Sequence, residues 1–271
     1  MSGFLGIARE PVFSPGKVEA DRAILAAVAD ILRARGHRVA LATADDMPSR
    51  ADRGTIVFTM AQGEDALARL REWERDGVRV VNSVAGVLNC HRHRMCEALA
   101  RAGVAMPETI LVGTAAPAAW PAWLGREGGW LKRGDVHATT AGDVRFVADP
   151  AAAAAAAAEL RARGIPGAVL QRHVAGAVLK FYAVAERFFT WYPPPEMPVT
   201  LPAPQSAALR DLAARAARAL DLEIFGGDVV VGPEGFEFVD FNDWPSYSRC
   251  RPGAAQAIAS RLEAHGEGGD R

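Results

Sequence analysis

Residues 226–245 read GGDVVVGPEGFEFVDFNDWP. Two runs rich in valine and phenylalanine flank a Gly-Pro-Glu-Gly turn, the composition of two strands joined as a hairpin. We place those strands at 228–231 and 236–241. Side chains two apart in a strand share a face, so Asp240 and Asn242 project together, and the hairpin can bring Asp228 alongside them. Three oxygen donors at a strand edge suit a hard cation such as magnesium, which keeps some waters and takes further oxygens from phosphates. The alternative reading is a set of solvated acids at a hairpin end.

Upstream, Lys132 ends the short apolar run Trp130-Leu131 and precedes a polar loop, 134–142, that holds His137 among glycines and threonines. A lysine ammonium supplies a point charge for phosphate, and small loop residues let backbone N–H groups approach phosphate oxygens. Taken alone, Lys132 reads as a solvated side chain and His137 as a loop histidine.

The rest of the chain supplies a scaffold. Up to residue 85, short apolar runs at 4–7, 39–43, 56–60 and 78–81 alternate with amphipathic stretches at 18–35 and 64–75, closed by Gly36 and Gly77. That alternation implies parallel strands with crossover helices, a Rossmann-like domain over 1–85. It lacks GxGxxG, so no dinucleotide is assigned. Beyond it we expect a helix at 91–102, strands at 109–112, 130–132 and 144–147, and a solvated or thinly packed helix over the alanine run that follows Pro150. Strands at 168–174, 177–184 and 188–192, a proline-rich loop and a last long helix at 206–221 lead to the hairpin. Units of 86–168 and 169–271 complete the division.

Composition excludes several functions. A formal net charge of −1 offers no bulk attraction to nucleic acid or membrane. The apolar runs are too short to span a bilayer, and MSGFLGIARE lacks the plan of a signal peptide. Cys90, Cys96 and Cys250 form no CxxC pair and read as reduced thiols, so a cytoplasmic location is expected. No GxSxG is present, and the cysteines have no evident catalytic partners.

Several segments in order resemble the ATP-grasp superfamily. Gly226-Gly227-Asp228, then Val239-Asp240-Phe241-Asn242-Asp243-Trp244-Pro245, are similar in spacing to the branch of ribosomal-protein glutamate ligases and glutathione synthetases. Asn82-Ser83 and Gly103-Val104-Ala105-Met106-Pro107 resemble that branch's upstream segments, and Leu131-Lys132 its nucleotide lysine strand. The resemblance covers about residues 80–250. It implies an α/β and α+β architecture, an ATP-grasp fold preceded by a Rossmann-like domain, a central subdomain with a phosphate-covering loop, and a C-terminal subdomain with the metal site.

Carried over residue by residue, the resemblance implies that Arg92, Lys132, His137 and Lys180 hold ATP phosphates. Gln171, Arg172, His173 and Val174 form the adenine hinge. Asp228, Asp240 and Asn242 hold one or two magnesium ions, for which manganese can substitute. Lys132, Lys180 and Arg249 are the expected catalytic set. The implied reaction joins a carboxylate to an amine through an acyl phosphate, on a small metabolite, amino acid or peptide. Arg92 and Asp240 depart from the family's lysine and glutamate, and Ala177-Val178 replaces an acid that often holds the ribose. Arg9, Glu10 and Ser14 follow the first strand, where open α/β sheets place ligands, and with Ser246, Arg249 and Arg251 they are the substrate candidates. Ordinary surface arginines are the alternative there. A homodimer is compatible with the fold. Lys132, His137 and Ala177-Val178-Leu179-Lys180 also resemble inositol polyphosphate kinases of the same fold, which makes a small-molecule kinase the second reading and an ATP-binding sensor the third.

Overall fold

The computed structural model describes residues 3–115, 119–136, 139–232 and 235–267. It opens with β1 (Gly3–Ala8), α1 (Val18–Ala34), β2 (Arg38–Thr43), β3 (Thr55–Thr59), α2 (Glu64–Arg75) and β4 (Arg79–Val81). The four strands pair in parallel in the order β2-β1-β3-β4, as the strand–helix alternation implies. Ile24, Leu25, Val28 and Leu32 recur at helical spacing and form the buried stripe of α1. α1 and α2 are each followed by a glycine in the left-handed region, Gly36 at φ 87° and Gly77 at φ 88°.

α3 (Val84–Asn89) and α4 (Arg92–Arg101) lead to a second sheet. Its elements are β5 (Thr109–Gly113), α5 (Leu124–Glu127), β6 (Gly129–Arg133), β7 (Val144–Val147), α6 (Pro150–Ala162) and β8 (Gly167–Arg172). The strands are antiparallel in the order β5-β8-β6-β7. Asp149 caps α6 by accepting from the Ala152 amide at 2.8 Å, and Pro150 occupies the first turn. The alanine run is more than a solvated helix. Ala153, Ala156, Ala157 and Leu160 are buried against Val112, Leu131, Val147 and Leu170, where methyl side chains let helix and sheet approach closely.

The third sheet contains β9 (Ala177–Val184), β10 (Phe188–Tyr192), β11 (Ile224–Gly232) and β12 (Gly235–Asp243), antiparallel in the order β10-β9-β11-β12. α7 (Ala203–Leu220) packs with α4 on its back face. The hairpin strands outrun the expected 228–231 and 236–241, so Asp228 lies in mid-strand, not at a strand start. A further helix, α8 (Arg251–Glu267), follows, and α7 is therefore not the last. α8 folds back on α1, and one apolar cluster joins Phe4 and Phe58 of the first sheet and Val28 of α1 to Val184, Ile224, Trp244 and Ile258.

A buried polar clamp ties the first sheet to the third. Asn82, just after β4, accepts from the Glu223 and Ile224 amides at 2.8 and 2.9 Å and donates to the Ile224 carbonyl at 2.7 Å. Tyr247 donates to the carbonyls of Ala183 and Phe225 at 2.7 and 3.2 Å from a fully buried position. An apolar side chain at 82 would strand backbone groups that have no access to water. Asn82→Leu is expected to lower stability by about 2–4 kcal/mol, read as a shift of the urea midpoint at constant slope.

Candidate active site

The third sheet lines up its charges by register. Lys180 of β9 pairs with Asp228 of β11, and Asp228 pairs with Asp240 of β12. Residues directly opposite in an antiparallel ladder share a face, so the three side chains form one row, with Asn242 two residues on. Gly226 and Gly227 make the close approach possible. A Cβ at 227 would lie 2.2 Å from the Asp240 carbonyl oxygen, and one at 226 would lie 2.7 Å from that of Phe181. The register slips by one between Asp228 and Val229, so that Val239 is an extra residue in β12. This bulge lets Phe238 and Phe241, at odd spacing, both enter the rear core while Asp240 and Asn242 face forward.

The bulged residue also supplies a backbone acceptor to the second sheet. Lys132, at the end of β6, reaches across from the second sheet and donates to the Val239 carbonyl at 2.9 Å and to Gln171 Oε1 at 2.7 Å. Arg92, at the start of α4, likewise bridges the sheets, donating to the Arg133 carbonyl at 3.1 Å and to Asp240 Oδ2 at 2.8 Å. Lys180 donates to Asp228 Oδ1 at 2.7 Å. Burial pushes the Lys132 ammonium down to about 8; nearby Asp240 opposes that shift, and Arg92 adds to it. Lys180 moves the other way, because Asp228 outweighs the effect of burial and holds the ammonium above the usual lysine range.

The donor set fits a hard divalent cation. Asp228 and Asp240 supply carboxylate oxygens and Asn242 an amide oxygen, too few to fill a magnesium shell, which leaves positions for phosphate and water. Among the described residues no group of three or more His, Cys, Asp or Glu side chains is placed for a metal.

The expected adenine hinge lies apart from the charged row. Gln171 is occupied by Lys132, and the amides of Arg172 and His173 donate to the carbonyls of Glu108 and Gly128. His173 Nδ1 accepts from the Trp130 indole at 3.2 Å, and Phe146 meets both rings edge-on. Val174 is half-buried beside Gly232. His137 lies outside the described residues. Asp143 anchors the neighbouring loop, a role not read from the sequence. Its carboxylate accepts from the amides of Thr139 and Thr140 and from Arg163. Burial alone would raise its pKa, but those donors prevail and hold it at about 2. The signal was present in Thr140-Ala141-Gly142-Asp143, which has the spacing of a capping box.

A cavity of about 650 Å³ opens between the first and third sheets. Arg92, Lys180, Asp228, Asp240, Asn242 and Arg249 all line it. Arg9, Ser14 and Ser246 reach it as well, whereas Glu10 and Arg251 are not on its wall. Arg9 is committed to internal bonds with Met60, Asp21, Asp243 and Trp244. Glu10 accepts from the Gln62 and Gly63 amides, both at 3.0 Å, and so secures the start of α2. Arg251 opens α8 and is half-buried there. Lys17 and Tyr192, near this cavity, were not singled out by the sequence; nothing in a lone lysine or a strand tyrosine marks it for a site.

No family model matches the chain, and no curated protein matches it in sequence. Solved structures do match. A RimK domain protein ATP-grasp from Sphaerobacter thermophilus superposes with a TM-score of 0.72 at 22% identity, covering 96% of this chain and 99% of that one. The ATP-grasp ligase PsnB, solved with the precursor peptide PsnA2 and AMPPNP, gives 0.69 at 15% identity over 98% and 97%. D-alanine–D-alanine ligase from Bacillus anthracis gives 0.71 at 11% identity over 98% and 96%. Full-length superposition at that level, with three four-stranded sheets and a charged row between them, establishes that this chain has the ATP-grasp fold.

Proposed function

We propose that this protein is an ATP-dependent ligase that activates a carboxylate as an acyl phosphate and passes it to an amine. The observation that carries the reading is the row Lys180–Asp228–Asp240, with Asn242 beside it, on the wall of the cavity between the first and third sheets. The similar structures support it: PsnB has been solved with a minimal precursor, Mg and ADP, and the Bacillus anthracis ligase with ATP. We assign the nucleotide to the cleft between the second and third sheets, with 171–174 on its adenine side, and the second substrate to the cavity. The division at residues 85 and 168 then separates a substrate-facing unit, a unit carrying the covering loop, and the unit with the metal set. Among the described residues no helix is long and apolar enough to cross a membrane, and the free cysteines accord with a reducing cytoplasm.

The geometry supports the following roles. Asp228, Asp240 and Asn242 would hold magnesium, which when bound offsets charge on the phosphates. Lys180 and Arg92 neutralise those carboxylates in the free protein and turn toward phosphate oxygens once the site is filled. Lys132 places its ammonium from the second sheet beside the same oxygens. The substrate carboxylate attacks the γ-phosphorus, and the bond to the β–γ bridging oxygen breaks to release ADP. The amine then adds to the carbonyl carbon, loses a proton, and inorganic phosphate leaves. Positioning and charge stabilisation account for the catalysis, and no protein nucleophile is needed.

Turnover is tested by following ADP and free phosphate across pooled amino acids, small carboxylates and inositol phosphates, with hydroxylamine as a trap. ADP with free phosphate and a hydroxamate is expected from one carboxylate pool. Asp240→Ala and Asn242→Ala should each lower the rate by roughly a hundredfold or more. Phosphate retained on an alcohol would install a kinase instead, and undiminished turnover in both variants would sink the site assignment.

Lys132 yields a pH signature. Only its ammonium attracts phosphate, so affinity for AMPPNP with magnesium should fall as pH rises through about 8, with proton uptake on binding above that point. Lys132→Met should bind more weakly below pH 8 and lose this inflection. Stability runs in the opposite sense. Between about 8 and 10.5 the unfolded chain holds the proton that the folded chain has released. Stability of the wild type relative to Lys132→Met therefore rises across that window. Titration calorimetry in two buffers and urea midpoints against pH check the two signs.

A further inference from the structure

We propose that the cavity selects substrates bearing a second anionic group besides the reacting carboxylate, and that Arg249, held on Tyr192, determines that specificity. The inference rests on the ligase reading for the identity of the reacting group, and on the cavity's charge pattern for the rest. Most lining cations already have an acid partner: Arg9 has Asp21, Arg92 has Asp240 and Lys180 has Asp228. The lining acid Asp243 accepts both bonds of the Gln62 amide at 2.8 Å. Among the described residues no carboxylate is paired with Arg249 or Lys17, and both lie on the cavity wall. With Asp21, Asp228 and Asp240 paired and Asp243 bonded to Gln62, the end of the cavity that holds Arg249 and Lys17 carries positive charge unmatched by the lining acids.

Arg249 is also oriented. Its guanidinium carbon lies 4.5 Å from the centroid of the Tyr192 ring. The Tyr192 hydroxyl donates to the Arg249 carbonyl at 3.2 Å, holding the residue at both ends. Tyr192 is directly opposite Lys180 in the ladder of β9 and β10, so the guanidinium is stationed one strand from the charged row. A guanidinium held over an aromatic ring still has N–H donors for a planar or tetrahedral anion, and less side-chain freedom is lost on binding. Ser246 and Ser248, on the same wall, offer hydroxyls for the remaining lone pairs. The volume is that of a typical small-ligand site, sufficient for an amino acid with an acidic side chain. Tyr192 is a positioning residue in this arrangement; it acts through Arg249.

The test offers matched pairs that differ only in the second group: glutamate against glutamine, aspartate against asparagine, and O-phosphoserine against serine. Hydroxylamine serves as the acceptor. The wild type should favour the acidic member by about 10–100-fold in kcat/KM, mainly through KM. Arg249→Gln should bring the members of each pair within about twofold, and Arg249→Glu should reverse their order. Tyr192→Phe, which keeps the ring, should retain the preference that Tyr192→Leu weakens. Comparing the carboxylate pairs with the phosphate pair decides which anion the site takes. Binding is read separately, as the thermal shift each probe adds in the presence of AMPPNP and magnesium. If no pair turns over but the acidic members alone shift the wild type and not Arg249→Gln, the ligase reading fails and the anion site stands. Equal treatment of both members by the wild type, a preference unchanged in Arg249→Gln, or no shift with any acidic probe would overturn the proposal.

Discussion

One extra residue in β12 organises the centre of this molecule. The bulge at Val239 breaks the alternation of the strand, so Phe238 and Phe241 both face the rear core and the intervening Asp240 faces forward. The Val239 carbonyl at this irregularity anchors Lys132 from the opposite sheet. A buried ammonium needs such an acceptor, because an unpaired buried charge is costly. Arg92 completes the crossing by joining the Arg133 carbonyl to Asp240. The second and third sheets are thus held face to face by cations that also neutralise the acids between them. Buried ion pairs of this kind contribute little net stability, because desolvation offsets attraction. Their consequence is geometric: they fix Lys132, Arg92 and Asp240 beside one another where the two sheets meet.

The segment after β12 is as constrained as the bulge. Trp244 and Tyr247 both adopt left-handed backbone conformations, at φ 42° and 48°, and both are fully buried. Non-glycine residues in that region carry strain of about 1–3 kcal/mol each, which persists only where packing over-determines the chain. Packing does so here. Trp244 stacks on Phe58 at 6.1 Å, and the Tyr247 hydroxyl is shared by two carbonyls. Between and beyond these anchors stand Ser246 and Arg249, turned toward the cavity. The first sheet therefore shapes the site indirectly, by gripping the loop that presents those side chains.

Much of the scaffold was legible because periodicity survives in the sequence. The stripe of α1, the glycine stops and the strands of the first sheet were found where expected. That Asp228, Asp240 and Asn242 share one face of the third sheet was legible from strand spacing. The irregular pieces were not. α8 begins Arg251-Pro252-Gly253 and is rich in alanine, so it lacks the amphipathic pattern that marks a helix; its partners are on α1, far away in sequence. The bulge was written in the uneven spacing of Phe236, Phe238 and Phe241, a pattern that acquires meaning only beside a partner strand. Arg9 and Glu10 follow a strand end, as ligand-binding residues do, yet hydrogen bonds to distant backbone groups commit both to the frame.

The sequence by itself determined the local elements, the order of the motifs and the chemical identity of the charged groups, because these depend on neighbours within a few residues. Only the tertiary structure decided which charges meet. Pairing across strands and between sheets joins Lys132 to Val239, Arg92 to Asp240, and Arg249 to Tyr192. The physical reason is that a charge's partner and its degree of desolvation are properties of space, set by register and packing between segments more than a hundred residues apart in the two sheet-crossing cases.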